Sequence, residues 1–194
     1  RYIWFHAASL GEFEQGRPLI ERIRKEHPEY RILQTFFSPS GYEVRKNYQG
    51  ADIVCYLPFD TPRNVRRFIE MVNPCMVFFI KYEFWQNYLN TLYKKGIPVY
   101  SVSSIFRPNQ IFFRWYGKDY RKVLKTFSHL FVQNEVSEKL LASIGVTDVT
   151  IVGDTRFDRV LDICTVAKDL PLVKAFKGNS KTFVAGSSWG PDED

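Results

Sequence analysis

The chain has 194 residues, 45% of them hydrophobic and 16% aromatic, with a formal charge of +6. That is length enough for one large domain or one and a half small ones, and too much apolar material for a disordered chain. The mild positive charge suits anionic partners such as phosphates, nucleotides or acidic lipid without choosing among them, and no run of about 18 apolar residues reads as a spanning helix or a secretion signal.

Apolar, β-branched and aromatic runs alternate with amphipathic segments along the chain. In order, strands are expected at Tyr2–Ala8, Tyr30–Phe36, Ile53–Leu57, Cys75–Lys81, Val99–Val102, Leu130–Gln133, Val149–Val152 and Thr182–Ala185. Between them, helices are expected at Phe13–Lys25, Pro39–Asn47, Pro62–Met71, Trp85–Lys95 and Glu135–Ser143. Strand–helix alternation predicts an α/β fold, a Rossmann-like parallel sheet with helices on both faces. The unbroken run Met76-Val77-Phe78-Phe79-Ile80 suits a central strand buried on both sides. Pro and Gly punctuate as expected: His27-Pro28 and Gly96-Ile97-Pro98 close helices, Ser38-Pro39 and Thr61-Pro62 open them, and Gly145 caps one.

Segment Phe106–Phe127 interleaves aromatic and basic residues. Read as a helix, it puts Phe112, Trp115, Tyr116 and Tyr120 on one face, either as a core stripe or as a surface resting on anionic lipid. Lys168-Asp169-Leu170-Pro171 and the polar turn Lys177–Ser180 mark a boundary. The expected division is residues 1–170 as one domain, with 171–194 a linker and the first strand and loop of another. Both ends of the chain read as cut from a longer protein. Cys55, Cys75 and Cys164 read as free thiols, the first two buried, and no Cys/His spacing suggests a metal site. His6, His27 and His129 are scattered singles, with His6 expected to be a hydrogen-bonded polar group in a buried strand.

Chemistry is expected past the carboxyl ends of strands, where open α/β sheets bind ligands. Glu12 follows Gly11 in the first such turn, where it serves either as a catalytic base or as an acidic residue favoured by the helix dipole. Glu83, in Lys81-Tyr82-Glu83-Phe84-Trp85, ends the buried fourth strand and points into the same crevice, where the two carboxylates form either a catalytic pair or groups held by neighbouring Lys or Arg. Arg156, in Gly153-Asp154-Thr155-Arg156-Phe157-Asp158, either stabilises a phosphate's charge or pairs with Asp154 or Asp158. Ser187 and Ser188 lie in a small-residue loop suited to an anion, without a dinucleotide or P-loop signature. Asp192-Glu193-Asp194 only superficially matches a metal-binding Asp-x-Asp.

Taken in order, these blocks resemble the Kdo (3-deoxy-D-manno-octulosonic acid) transferase family. Trp4-Phe5-His6-Ala7-Ala8-Ser9-Leu10-Gly11-Glu12 is similar to its opening signature, and Tyr56-Leu57-Pro58-Phe59-Asp60 to the next block. Tyr82-Glu83-Phe84-Trp85-Gln86-Asn87 resembles Glu-Leu-Trp-Pro-Asn, and Gly153–Asp158 resembles Gly-Asn-x-Lys-Phe-Asp. Ala185-Gly186-Ser187-Ser188-Trp189 resembles the start of a Gly-Ser-Thr-His loop. Gln86 replaces Pro, Arg156 replaces Lys and Trp189 replaces His.

The resemblance implies the N-terminal, acceptor-binding half of a GT-B glycosyltransferase, an inverting enzyme that carries Kdo from CMP-Kdo to a lipid A precursor in lipopolysaccharide biosynthesis. It implies catalytic roles for Glu12, Glu83 and Arg156, and substrate contacts from Ser9, Gly11, Tyr82, Arg107, Ser187, Ser188 and Glu193. It implies no metal or cofactor and no nucleic acid, an anionic membrane surface as partner, and work at the cytoplasmic face of the bacterial inner membrane. This chain alone is expected to be inactive, most of the donor site belonging to the other half. Two rivals stay open: another GT-B nucleotide-sugar enzyme, whether transferase or epimerase, and a non-catalytic basic module binding membrane or nucleic acid.

Overall fold

A computed structural model of the chain describes residues 1–165, 169–184, 186 and 190. Seven strands form one sheet: β1 (Tyr2–Ala7), β2 (Arg31–Phe36), β3 (Ile53–Tyr56), β4 (Pro74–Ile80), β5 (Val99–Ser104), β6 (His129–Val132) and β7 (Val149–Ile151). Their order is β3-β2-β1-β4-β5-β6-β7, and every pairing is parallel. The Met76–Ile80 run therefore lies in the middle strand, between β1 and β5. The chain builds outward from β1 to β3, then crosses back to lay β4 on the other side of β1. That reversal makes a topological switch point between the carboxyl ends of β1 and β4.

The helices between these strands are α1 (Leu10–Glu26), α2 (Pro39–Arg45), α3 (Pro62–Val72), α4 (Gln86–Lys94), α5 (Arg121–Leu124) and α6 (Glu135–Ser143), and α7 (Arg156–Thr165) follows the last strand. Alternate residues of β1 feed two cores. Ile3, Phe5 and Ala7 face Phe13 and Ile20 of α1, while Trp4 faces Val65 and Ile69 of α3 and Tyr88, Leu89 and Leu92 of α4. Helix α1 lies very close to the sheet: a Cβ on Gly16 would stand 2.8 Å from Ile80 Cδ1, so glycine lets the backbone approach. The expected helix starts hold where a cap exists. Thr61 Oγ1 accepts from Asn64 N, Ser38 Oγ from Ser40 N, and Asn134 Oδ1 from Ser137 N.

Segment 106–127 is not one helix. Two short 3₁₀ turns, Ile111–Phe113 and Trp115–Gly117, precede α5. Arg121 donates through Nε to Phe112 O at 2.7 Å and through its terminal nitrogen to Arg114 O at 3.0 Å, clamping the folded-back chain. Gly117 permits the fold-back, since a Cβ there would lie 1.8 Å from Ile111 O. The aromatics are therefore divided: Phe106, Phe112 and Phe127 enter the core, whereas Trp115 is 89% exposed and Tyr116 and Tyr120 stand out with it.

The expected eighth strand does not form over residues 182–184, where no described segment pairs with it; Ala185 lies outside the described residues. A helix not foreseen, α8, spans Pro171–Lys177. The chain divides into two compact units, Arg1–Leu161 and Asp162–Asp194, so the Asp169–Ser180 punctuation falls within the second. All three thiols are free; Cys55 and Cys75 are half-buried rather than fully enclosed, and Cys164 is exposed.

Candidate active site

The two carboxylates singled out in the sequence flank the switch point. Glu12 occupies the third position of α1, just beyond β1, and Glu83 lies in the turn after β4. The Ser9 N–H donates to Glu12 Oε2 at 3.1 Å, half of a capping box, and the Ala8 backbone adds a second hydrogen bond. Those bonds favour the ionised form, as does the nearby Lys81 ammonium. Burial opposes them first and the negative charge of Glu83 second, and the net result holds Glu12 above the ordinary carboxylate range. A partly buried carboxylate pair with one member pushed upward is the electrostatic pattern of a general base.

Glu83 is anchored from two sides. The Trp85 indole N–H donates to Oε2, and His6 Nε2 lies 3.3 Å from the same oxygen, off the hydrogen-bond axis. The turn is fixed by Asp60, in the loop between β3 and α3. Its carboxylate accepts from Asn87 N and Tyr88 N, both at 3.1 Å, satisfying the start of α4, and its carbonyl accepts from Asn87 Nδ2 at 2.7 Å. Tyr88 Oη donates to Pro58 O at 3.0 Å. Two of the motif blocks read in the sequence therefore bind each other, and their union places Glu83.

Lys81 is a site residue that sequence reasoning passed over. It follows β4 in a left-handed conformation, φ +64°, which costs a side-chain-bearing residue about 1–3 kcal/mol and gathers at functional sites. Its N–H donates to Val102 O at 2.8 Å, and its carbonyl accepts from Ser104 Oγ at 3.0 Å. Ser103, with φ +58°, is the residue skipped in the β5–β6 register. Such bulges re-aim side chains beside active sites. Thr155 Oγ1 donates to Ser103 Oγ at 3.2 Å, so the bulge also ties down the turn that carries Asp154 and Arg156. Only the left-handed backbone and the cross-strand contacts reveal this cluster; a lysine after a strand gives no signal in the sequence.

Arg156 is committed to Asp154. Its Nε donates to both carboxylate oxygens, at 3.0 and 2.8 Å, and its terminal nitrogen adds a third contact. That side chain holds Asp154 below the usual carboxylate range, with burial opposing and Lys81 assisting. The ion-pair alternative weighed for Arg156 is thus the geometry present. Ser9 and Gly11 lie at the start of α1; nothing lies within 4 Å of a Cβ built on Gly11, so packing does not require glycine there. Tyr82 is exposed beside Glu83. Arg107 lies on an exposed turn whose N–H donates to Gln110 Oε1 at 3.0 Å; no bond among the described residues joins it to the carboxylates. Ser187, Ser188 and Glu193 lie outside the described residues.

An open seven-stranded parallel sheet flanked by helices, with its switch point at the carboxyl ends of β1 and β4, is a Rossmann-like unit of the GT-B type. In overall fold the chain is similar to UDP-GlcNAc 2-epimerase from Neisseria meningitidis, with a TM-score of 0.63 at 14% identity, covering 92% of this chain and 54% of that one. The sequence is more specific. Residues 1–159 match the family described as 3-deoxy-D-manno-octulosonic-acid transferase (kdotransferase), and the chain belongs to that family. It is 28% identical over 162 residues to the 3-deoxy-D-manno-octulosonic acid transferase of Haemophilus influenzae, covering 80% of this chain and 38% of that protein. The Aquifex aeolicus protein of the same name is 28% identical over 187 residues, covering 95% and 46%. The chain thus spans less than half the length of these relatives.

Proposed function

We propose that the protein is an inverting glycosyltransferase of lipopolysaccharide biosynthesis that moves Kdo from CMP-Kdo to a lipid A precursor. The observation that carries this reading is the pair Glu12 and Glu83 astride the β1/β4 switch point, with Glu12 raised by burial and by the charge of Glu83. Membership of the kdotransferase family supplies the sugar. Glu12 takes the proton of an acceptor hydroxyl, that oxygen bonds to the anomeric carbon of Kdo, and the bond to the phosphate of CMP breaks. One displacement inverts the centre. Orientation and fixed charge supply the rate, with no cofactor. Arg156, turned from Asp154, would answer the departing phosphate.

Residues 1–170 form the acceptor half in this reading, and 171–194 lead into the donor half, so residues 1–194 alone give no turnover. The test is the full-length protein with CMP-Kdo and a lipid A precursor. CMP release with a matching gain in lipid mass is expected; turnover of a UDP-sugar and indifference to CMP-Kdo would favour a different GT-B activity. The pH profile adds a sharper check. Replacing Glu83 with Gln removes the negative charge that pushes Glu12 up. The acid limb of kcat/KM then moves to lower pH. An unmoved limb would separate the two carboxylates.

Work at the cytoplasmic face of the inner membrane is part of the same proposal. No helix among the described residues is long and apolar enough to cross a membrane. Exposed Trp115, Tyr116 and Tyr120 share their loop with exposed Arg114, Lys118 and Lys122, a composition suited to an anionic interface. A groove of about 470 Å³ opens beside them, lined by Phe84, Phe112, Tyr120 and Val123 among others. Arg121 is excluded from any test because it clamps the loop. Arg114→Ser with Lys118→Ser should weaken binding to anionic vesicles about fivefold per charge, read by co-sedimentation at low salt. Equal binding would remove this loop from the membrane face.

A further inference from the structure

His6 is 0% exposed in the strand leading to Glu12, and its ring is only half satisfied. Nδ1 lies 2.9 Å from Thr35 Oγ1, which accepts the Trp4 indole N–H at 2.8 Å. Phe79 and Trp85 pack edge-on against the imidazole. Nε2 has no hydrogen-bond partner, yet faces Glu83 Oε2 at 3.3 Å. A buried polar atom without a partner costs about 1–3 kcal/mol and calls for an explanation.

The Glu83 carboxylate opposite Nε2 selects the tautomer. Thr35 has one hydroxyl hydrogen and two acceptors in reach, His6 Nδ1 at 2.9 Å and Phe5 O at 3.3 Å. A hydrogen on Nε2 faces that carboxylate favourably and leaves Nδ1 to accept the Thr35 hydroxyl hydrogen. An unprotonated Nε2 would instead set a lone pair against a carboxylate oxygen. Contacts of this kind are often long and misaligned without substrate and tighten in the complex.

We propose that His6 is a positioning residue: its Nε2–H, with Nδ1 held from behind by the Thr35 hydroxyl, fixes the Glu83 carboxylate beside Glu12. The proposal deepens the reading of Glu12 as base and rests on it. The titratable groups around Glu83 are Glu12 from α1, His6 from β1 and Lys81 at the end of β4, with Asp154 near Lys81 in the turn before α7. Without the His6 N–H, Glu83 keeps only the Trp85 indole on that oxygen and is freer to turn, so its upward push on Glu12 weakens.

Two measurements on the full-length protein test this. Nitrogen-15 imidazole NMR, with His6 assigned by difference against His6→Gln, should show hydrogen on Nε2; hydrogen on Nδ1 overturns the proposal whatever the protein's activity. In CMP-Kdo assays, His6→Phe should lower kcat/KM about tenfold, a fraction of the roughly 10²–10⁴ that a positioned base contributes. The loss should fall in kcat, KM should hold, and the acid limb should shift to lower pH. His6→Gln, which keeps an N–H, should recover part of both effects. A loss with an unmoved limb, or equal loss in both variants, assigns His6 to packing alone. If Glu12→Gln retains full activity, the base reading fails while the tautomer result still stands.

Discussion

Glu12→Gln should abolish nearly all transfer by the full-length protein, lowering kcat by about 10²–10⁴-fold, the contribution of a positioned general base. The substitution isolates proton uptake. Gln keeps an oxygen able to accept the Ser9 N–H that Glu12 Oε2 now takes at 3.1 Å, so the start of α1 is retained. KM for either substrate should change little. Stability should move the other way from activity. Because the folded state holds Glu12 above the ordinary carboxylate range, it binds that proton more tightly than the unfolded chain does. Stability therefore falls as pH rises from the unfolded value through the raised folded one, and the penalty is complete above the folded value. A neutral Gln removes it, so Tm at pH 7 should be unchanged or higher, and the difference from wild type should vanish in acid. A variant that is inactive and also less stable at neutral pH would mark Glu12 as a structural cap instead. The expected pairing of lost turnover with retained or increased stability is the signature of a strained functional group.

The sheet was legible because its strands are buried on both faces and read as continuous apolar runs. Glu12 and Glu83 were legible for a related reason: each is the acidic residue that follows such a run. What sequence could not supply was lateral information. Lys81 matters through its left-handed backbone and its bonds to Val102 and Ser104, on a strand that neighbours β4 only once the fold exists. His6 was read as a satisfied buried group; its Nδ1 is, but its Nε2 faces a carboxylate 77 positions later in the chain. Segment 106–127 misled because its aromatic spacing fits a helical face, while Gly117 and the Arg121 clamp fold the backbone back and send Phe112 and Trp115 to opposite environments. Periodicity reports which residues can share a face, and a single close backbone contact overrides it.

Trp4→Ala should be the most destabilising single change in the sheet, at about 3–5 kcal/mol, the usual cost of truncating a buried large aromatic. Trp4 is 0% exposed, with ring centroids 5.1 Å from Phe68, 5.5 Å from Phe79 and 5.6 Å from Tyr88. It therefore joins α3, β4 and α4 in one contact. Removing the indole opens a cavity among rings that cannot collapse together, and it strips Thr35 of the donor at 2.8 Å. Set against a typical total of about 5–15 kcal/mol, the loss consumes a large share of the fold's margin. Urea unfolding followed by circular dichroism should show a lower midpoint with an unchanged slope; an unchanged midpoint would place the hub of this core elsewhere. Trp4→Phe separates the two contributions, keeping most of the ring packing but losing the N–H to Thr35. Trp4 and His6 lie two residues apart on the same face of β1, so this milder variant also tests whether the core sets the geometry of the site. If it does, Trp4→Phe should lower kcat more than its small loss of stability would account for, because the hydroxyl that orients His6 has lost its own donor.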